Sequence, residues 1–307
     1  MQLLKIPVFR RGNVMAITET VQNIVIKQML SYLEKDPENN IMKVIELLEK
    51  FDVRHRADRQ LRVIKPFMAD PDNNWRKLVM KIYTDIDPGV RKKIFENFVL
   101  NAVVAGGNME ADNEEKYDCN IPWAILLDPT SACNKHCVGC WAAEYGSQLN
   151  LTYDEMSSIV SQGKALGTYM YLFTGGEPLV RKKDIVRLCE EHNDCVFSAF
   201  TNGSLVDEEF AQEMLRVGNF IPAFSIEGFE EATDSRRGEG TYNDVIRAME
   251  ILKRNKLPFG ISCCYTSVNV EDIGSEEYFD KMVEMGAKFA WFFTYMPVGV
   301  GAPTDLI

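Results

Sequence analysis

The chain has 307 residues, of which 46% are hydrophobic and 26% are charged, as is ordinary for a soluble globular protein. Its length allows one large domain plus an appendage. The formal net charge of -11 disfavours general nucleic-acid binding, because an acidic surface repels phosphate backbones.

Targeting signals are not visible in the sequence. The opening residues 1–11 are too short and too interrupted for a secretory signal. The longest uncharged apolar stretch, 289–302, contains Pro297, Gly299 and Gly301 and falls short of the ~20 apolar residues of a spanning helix. We therefore predict a cytoplasmic protein.

The first third of the chain has a helical pattern, from about residue 13 to residue 107. Apolar residues recur near the 3.6-residue period at Val21, Ile24, Val25, Met29, Leu33, Ile41, Val44, Ile45, Leu47 and Leu48. A further helix is expected to end at Gly106-Gly107, with a polar linker over 108–118. Residues 1–115 thus read as a helical region of unknown role, for which packing is the default and peripheral membrane contact an alternative.

The remainder, 116–307, alternates between two patterns. Apolar runs near 121–128, 168–174, 194–201, 220–226, 258–265 and 288–295 predict strands, and the run 121–127 is typical of a strand covered on both faces. Helical patterns near 153–166, 182–192, 207–217, 242–256 and 275–286 separate them. The alternation predicts an α/β fold of right-handed βαβ units with a parallel sheet. Six strands with five helices lead us to expect that the native protein continues past Ile307.

Three of the eight cysteines form a C-x3-C-x2-C triplet, Cys133, Cys137 and Cys140, after the first predicted strand. Three thiolates can hold three irons of a cubane cluster and leave the fourth iron without a protein ligand. Zinc is the alternative, but structural zinc usually takes four protein ligands, and His136 inside the triplet is a poor fourth one.

A second motif, Gly175-Gly176-Glu177-Pro178, follows the second predicted strand. With this pair of motifs the chain resembles the radical S-adenosylmethionine (SAM) superfamily, in the branch of MoaA-, PqqE/SPASM-type and HpnH-like members. The resemblance implies a partial (β/α)6 barrel with a 4Fe-4S cluster and SAM as cofactors. It also implies reductive cleavage of SAM to a 5′-deoxyadenosyl radical, which abstracts hydrogen from a substrate.

The resemblance also implies a set of cofactor-binding residues: Gly175, Gly176, Glu177, Pro178, Ser225, Arg237, Asn202 and Gly139. The segment 175–178 would bind the amino group of SAM, and Asn202 would lie near the ribose. Ser225 and Arg237 would hold the carboxylate, for which an arginine fork is well suited. Glu227 stands where the family more often has Asp. Gly139 stands where many members have an aromatic residue near the adenine, so only backbone contact is expected there.

The remaining expectations concern Trp141, the substrate, the electron donor and an alternative function. Trp141, directly after the triplet, is expected to pack in the interior. The substrate is a peptide, a lipid or a small metabolite, and the electron donor is a protein such as flavodoxin or ferredoxin. The alternative function is a non-catalytic iron-sulfur protein that senses redox state or binds metal. Retained SAM contacts argue against it, because a sensor has no need of them.

Overall fold

The computed structural model describes residues 25, 27–51, 58–298 and 302–307. The chain divides into two compact units, 1–83 and 84–307. Val21, Ile24, Gly299 and Gly301 of the sequence predictions lie outside the described residues. The predicted boundary between residues 115 and 116 separates the helical region of unknown role from the barrel region, and it stays a prediction.

The first unit is built from helices. They are α1 (27–35), α2 (Pro37–Phe51), α3 (Asp58–Ala69) and α4 (Asn74–Asp85), the last of which runs across the division. Its buried apolar core consists of Met29, Leu33, Ile41, Val44, Ile45, Leu61 and Met68. Five of these seven were predicted from the helical period, so the apolar stripe does form the core.

Three consecutive helices open the second unit: α5 (Pro88–Phe95), a π-helix (Glu96–Gly106) and α6 (Gly107–Tyr117). The predicted helix end at Gly106-Gly107 and the linker over 108–118 were therefore wrong. Gly106 is helical, and a Cβ on it would collide with the carbonyl oxygen of Gly167. That glycine permits a close approach rather than a helix end. The polar α6 is held in place by Asn113, whose side chain donates to the carbonyl of Leu166 at 3.1 Å.

The rest of the second unit confirms the predicted α/β fold. Its strands are β1 (Ala124–Leu127), β2 (Met170–Phe173), β3 (Val196–Thr201), β4 (Phe220–Ser225), β5 (Gly260–Tyr265) and β6 (Ala290–Thr294). All neighbours pair in parallel in the order β1-β2-β3-β4-β5-β6. The predicted helices are α7 (Tyr153–Leu166), α8 (Lys182–Glu191), α9 (Glu208–Val217), α11 (Thr241–Arg254) and α13 (Glu276–Met285).

Four short elements were not predicted. They are α10 (Glu230–Arg237), α12 (Val270–Ile273) and the 3-10 helices Trp141–Tyr145 and Pro178–Arg181. Helix α10 buries only Thr233 among its eight residues, so it lacks the apolar period by which a helix is recognised.

The sheet curls into a half-barrel. The ring of Phe200 in β3 lies 5.4 Å from that of Phe293 and 6.0 Å from that of Trp291, both in β6. A flat sheet would separate these strands by about 14 Å, since neighbouring strands lie about 4.8 Å apart. These three rings therefore meet on the concave face.

Coverage of both faces was predicted for the first strand, and this was wrong. Leu127 is buried, but Leu126 is 60% exposed. The convex side of β1 packs on α7, where Ile125 lies beside Gly163, whereas Leu126 points to the concave face of a barrel that is not closed. In the described part of the chain, every helix is too short or too polar to span a lipid bilayer.

Candidate cofactor site

The predicted site residues meet at one edge of the sheet. The cysteine loop, which we define as 128–140, follows β1, and the Gly-Gly-Glu-Pro segment follows β2. Asn202 follows β3, and Ser225 ends β4, in register with Ser262 of β5. Carboxyl ends of parallel strands share one edge, which is where α/β folds bind ligands.

The three thiols of the cysteine loop act on one another electrostatically. Burial raises the pKa of Cys133, and the neighbouring Cys137 and Cys140 raise it further. Burial also raises the pKa of Cys137, while the guanidinium of Arg237 opposes that shift. In the described part of the chain, no three His, Cys, Asp or Glu side chains are close enough to hold a single metal ion.

Backbone hydrogen bonds from the Gly-Gly-Glu-Pro segment fix the start of the cysteine loop. The amide of Gly176 donates to the carbonyl of Thr130 at 2.9 Å, and that of Glu177 donates to the carbonyl of Ala132 at 2.8 Å. A Cβ on Gly176 would collide with the carbonyl of Ala132. Glycine is therefore required for the two loops to approach this closely.

The rest of the cysteine loop is held by the third and fourth strand regions. The Asn202 side chain donates to Oδ1 of Asn134 at 2.8 Å. The amide of Val138 donates to the carbonyl of Arg236 in α10 at 2.7 Å. The loop that carries the cysteines is thus attached to successive strand ends, as a rigid metal site needs.

Glu177 joins the loops after β2 and β3. Its side chain is almost fully buried and accepts from the amide of Leu179 at 3.0 Å, the hydroxyl of Thr201 at 2.7 Å and the amide of Asn202 at 2.8 Å. Burial raises the pKa of this carboxyl, although these donors favour the charged form. Its predicted contact with the amino group of SAM stays a prediction.

Glu227 organises two arginines. Its fully buried carboxylate accepts from Nη1 of Arg236 at 2.5 Å and from Nε of Arg237 at 2.7 Å, with a further ion pair to Nη2 of Arg237. The amide of Cys264 donates to its other oxygen at 2.9 Å. Burial lowers the pKa of Arg237, but the Glu227 carboxylate and the nearby Cys137 together raise it above its usual range, so the guanidinium stays charged.

Glu227, Arg236 and Arg237, which we call the triad, face the cysteine loop and fit an anionic cofactor. Nη1 of Arg237 lies 4.0 Å from Sγ of Cys137. Nε of Arg236 is buried and has no hydrogen-bond partner among the residues that the structure describes, so an acceptor is expected beside it. Two guanidinium groups against one carboxylate leave a net charge of +1. That charge suits a thiolate-bound iron-sulfur cluster and a carboxylate.

The triad was not predicted as a unit. Arg237 was singled out, whereas Glu227 was noted only because it stands where the family more often has Asp. The pairing of the two depends on α10, which has no apolar signal. Trp141 was expected to pack in the interior, and this was wrong. It is 43% exposed and meets the ring of Tyr145 edge-on, because both lie in one short 3-10 helix.

Comparison with known families decides the assignment. The model of the radical SAM superfamily matches residues 127–289, which is more than half of the chain. The chain belongs to the radical SAM superfamily. Members of this superfamily use an iron-sulfur cluster and SAM, and the match spans the cysteine loop, the Gly-Gly-Glu-Pro segment and the arginine pair.

The similarity to known proteins covers only part of this chain and part of each relative. An AdoMet-dependent heme synthase of Methanosarcina barkeri is 29% identical over 61% of this chain and 54% of its own length. A cysteine-type anaerobic sulfatase-maturating enzyme of Clostridium perfringens is 30% identical over 48% of this chain and 45% of its own length. The chain spans about half the length of the curated relatives it matches.

A solved structure supports the fold. SuiB of Streptococcus suis, bound to S-adenosylmethionine, aligns with a TM-score of 0.56 at 17% identity and covers 66% of this chain and 47% of SuiB. At this identity the likeness shows a shared fold.

Proposed function

We propose that this chain holds a 4Fe-4S cluster through Cys133, Cys137 and Cys140 and cleaves SAM reductively. The observation that carries the proposal is the cysteine loop, fixed at the strand ends beside a buried arginine donor that has no partner among the described residues. When bound, the reduced cluster would supply one electron for cleavage of the sulfonium bond of SAM, which would release methionine and a 5′-deoxyadenosyl radical. The protein contributes binding, orientation and exclusion of side reactions.

The residues at the strand ends have separate tasks in this proposal. The segment 175–178 binds the amino group of SAM, and Asn202 lies near the ribose. Ser225 and Arg237 hold the carboxylate, and the open Nε of Arg236 adds a second donor at the same edge. The Gly139 backbone contacts the adenine. Flavodoxin or ferredoxin supplies the electron.

The composition of the concave face indicates that the reacting part of the substrate is uncharged. The six strands contain no Asp, Glu, Lys or Arg. The rings of Phe200, Trp291 and Phe293 lie on this face. Burial of a charge against such a surface is unfavourable, so an apolar part of a peptide, lipid or metabolite is expected there.

Anaerobic reconstitution tests the reaction. The protein is loaded with iron and sulfide, reduced with dithionite and mixed with SAM, and 5′-deoxyadenosine is measured by mass spectrometry. We expect release of 5′-deoxyadenosine by the wild type. Cys137→Ala should lose both cluster and product, because two thiolates hold a cubane poorly.

Cys119→Ala is the matched control, since Cys119 is exposed and lies outside the cysteine loop. It should retain both cluster and product. A cluster that forms beside intact SAM would support the sensor instead. Full cluster content in Cys137→Ala would contradict the ligand assignment.

A further inference from the structure

Tyr295 lies against the cysteine loop from the far side of the half-barrel. It directly follows β6, and its backbone amide donates to the carbonyl of Tyr265 at 3.0 Å. A Cβ placed on Gly139 would lie 2.6 Å from Oη and 2.7 Å from Cε2 of Tyr295. The tyrosine ring thus occupies the space that a side chain at position 139 would fill.

Gly139 is suited to this contact in two ways. Its φ of +69° is in the left-handed region, which side chains rarely adopt. Its missing side chain also lets the ring of Tyr295 reach the backbone between Cys137 and Cys140. The aromatic ring next to this position therefore comes from the end of β6, whereas the ring of Trp141 contacts Tyr145.

The environment of the Tyr295 hydroxyl is a second and independent observation. The residue is only 4% exposed, and its Oη is buried without a hydrogen-bond partner within the described part of the chain. A buried hydroxyl that lacks a partner destabilises a fold, because it has lost its hydrogen bonds to water and gained none in return. Most such groups have a partner, so a ligand atom is expected next to the hydroxyl.

We propose that Tyr295 is a cofactor-site residue whose hydroxyl donates a hydrogen bond to the group held by the cysteine loop. This inference rests on the proposed function. The acceptor is an electron-rich atom, supplied either by a sulfur of the cluster or by SAM. The ring closes the side of the site at Gly139, so that both the shape and the polarity of the site depend on the end of β6.

Tyr295→Phe tests the proposal, because it removes the hydroxyl and keeps the ring. Reconstituted protein is compared with the wild type for iron and sulfide content, SAM dissociation constant by equilibrium dialysis, and cluster midpoint potential by EPR-monitored titration. Cluster content should be unchanged. If SAM is the acceptor, its dissociation constant should rise about fivefold to tenfold, as expected for one hydrogen bond.

If a cluster sulfur is the acceptor, the midpoint potential should fall, because hydrogen bonds to the sulfurs stabilise the reduced, more negative cluster. Tyr265→Phe is the control, since its hydroxyl contacts Thr294 and lies outside the cysteine loop. It should leave both quantities unchanged.

Wild-type SAM affinity and potential in Tyr295→Phe would overturn the inference. That result would mean that Tyr295 only packs, and removal of an unpartnered hydroxyl would then leave the thermal stability equal or higher. Failure of the proposed function looks different, because the wild type itself would then take up no cluster or bind no SAM.

Discussion

Glu227 determines how two arginines are presented to the cysteine loop. Its carboxylate contacts both guanidinium groups, and its exposed fraction is zero. A carboxylate buried in this way is stabilised by the pairing, and each arginine depends on it in turn. Glu227 is therefore a positioning residue for Arg236 and Arg237.

Glu227→Gln should destabilise the protein by about 3 kcal/mol, because it leaves two largely buried cations without a compensating charge. Urea unfolding of the metal-free protein measures this directly. The control is Glu231→Gln, an exposed position of α10, the helix that carries both arginines, for which little change is expected. Equal stability of the two variants would show that the buried pairing contributes nothing to the fold.

The sequence identified the residue types of the site better than their partners. The cysteines, Glu177 and Arg237 could be selected from the sequence, because they belong to motifs with a recognisable order and spacing. The bonds of Thr201 and Asn202 to Glu177, that of Cys264 to Glu227 and the contact between Gly139 and Tyr295 join residues that lie far apart in the chain. Only the folded sheet brings these residues together.

At the scale of elements, His192 connects two helices of the barrel. It caps the carboxyl end of α8, is 4% exposed, and its Nε2 lies 3.0 Å from the hydroxyl of Ser157 in α7. Burial lowers the pKa of His192, and the positive charge of Lys164 lowers it further. The ring is therefore neutral in the folded protein near pH 7.

This shift predicts a pH dependence of stability. The unfolded chain takes up a proton at His192 as the pH falls below about 6.5, whereas the folded ring does so only at a lower pH. The free energy of unfolding therefore decreases as the pH falls from about 6.5 to the lower pKa of the folded ring. His192→Gln lacks this loss. Its free energy of unfolding should therefore fall less steeply than that of the wild type between pH 7.5 and about pH 5.5. Parallel curves from urea unfolding would contradict this account of His192.

Strands and long helices were predictable because each has a clear apolar period. All six strands and five barrel helices were found near their expected positions. Helices α6 and α10 were missed because both are polar, and tertiary contacts rather than an apolar stripe hold them. Exposure of the concave face was also missed, because an apolar run does not reveal whether a barrel closes.

At the scale of the whole molecule, the site combines loops from both ends of the curled sheet. The cysteine triplet follows β1, and Tyr295 follows β6. The curl that brings Phe200 of β3 to Phe293 of β6 is thus a precondition for the site. The two compact units have separate internal contacts, and all three cysteines of the triplet belong to the second.

In the proposed function, three thiolates leave one iron of the cluster open to SAM. Electron-nuclear double resonance on the reduced, reconstituted protein tests it with SAM that carries 15N in its amino group. We predict a hyperfine coupling between the cluster and that nitrogen. A bound cluster that shows no such coupling while SAM is bound, or a site filled by zinc, would contradict the account.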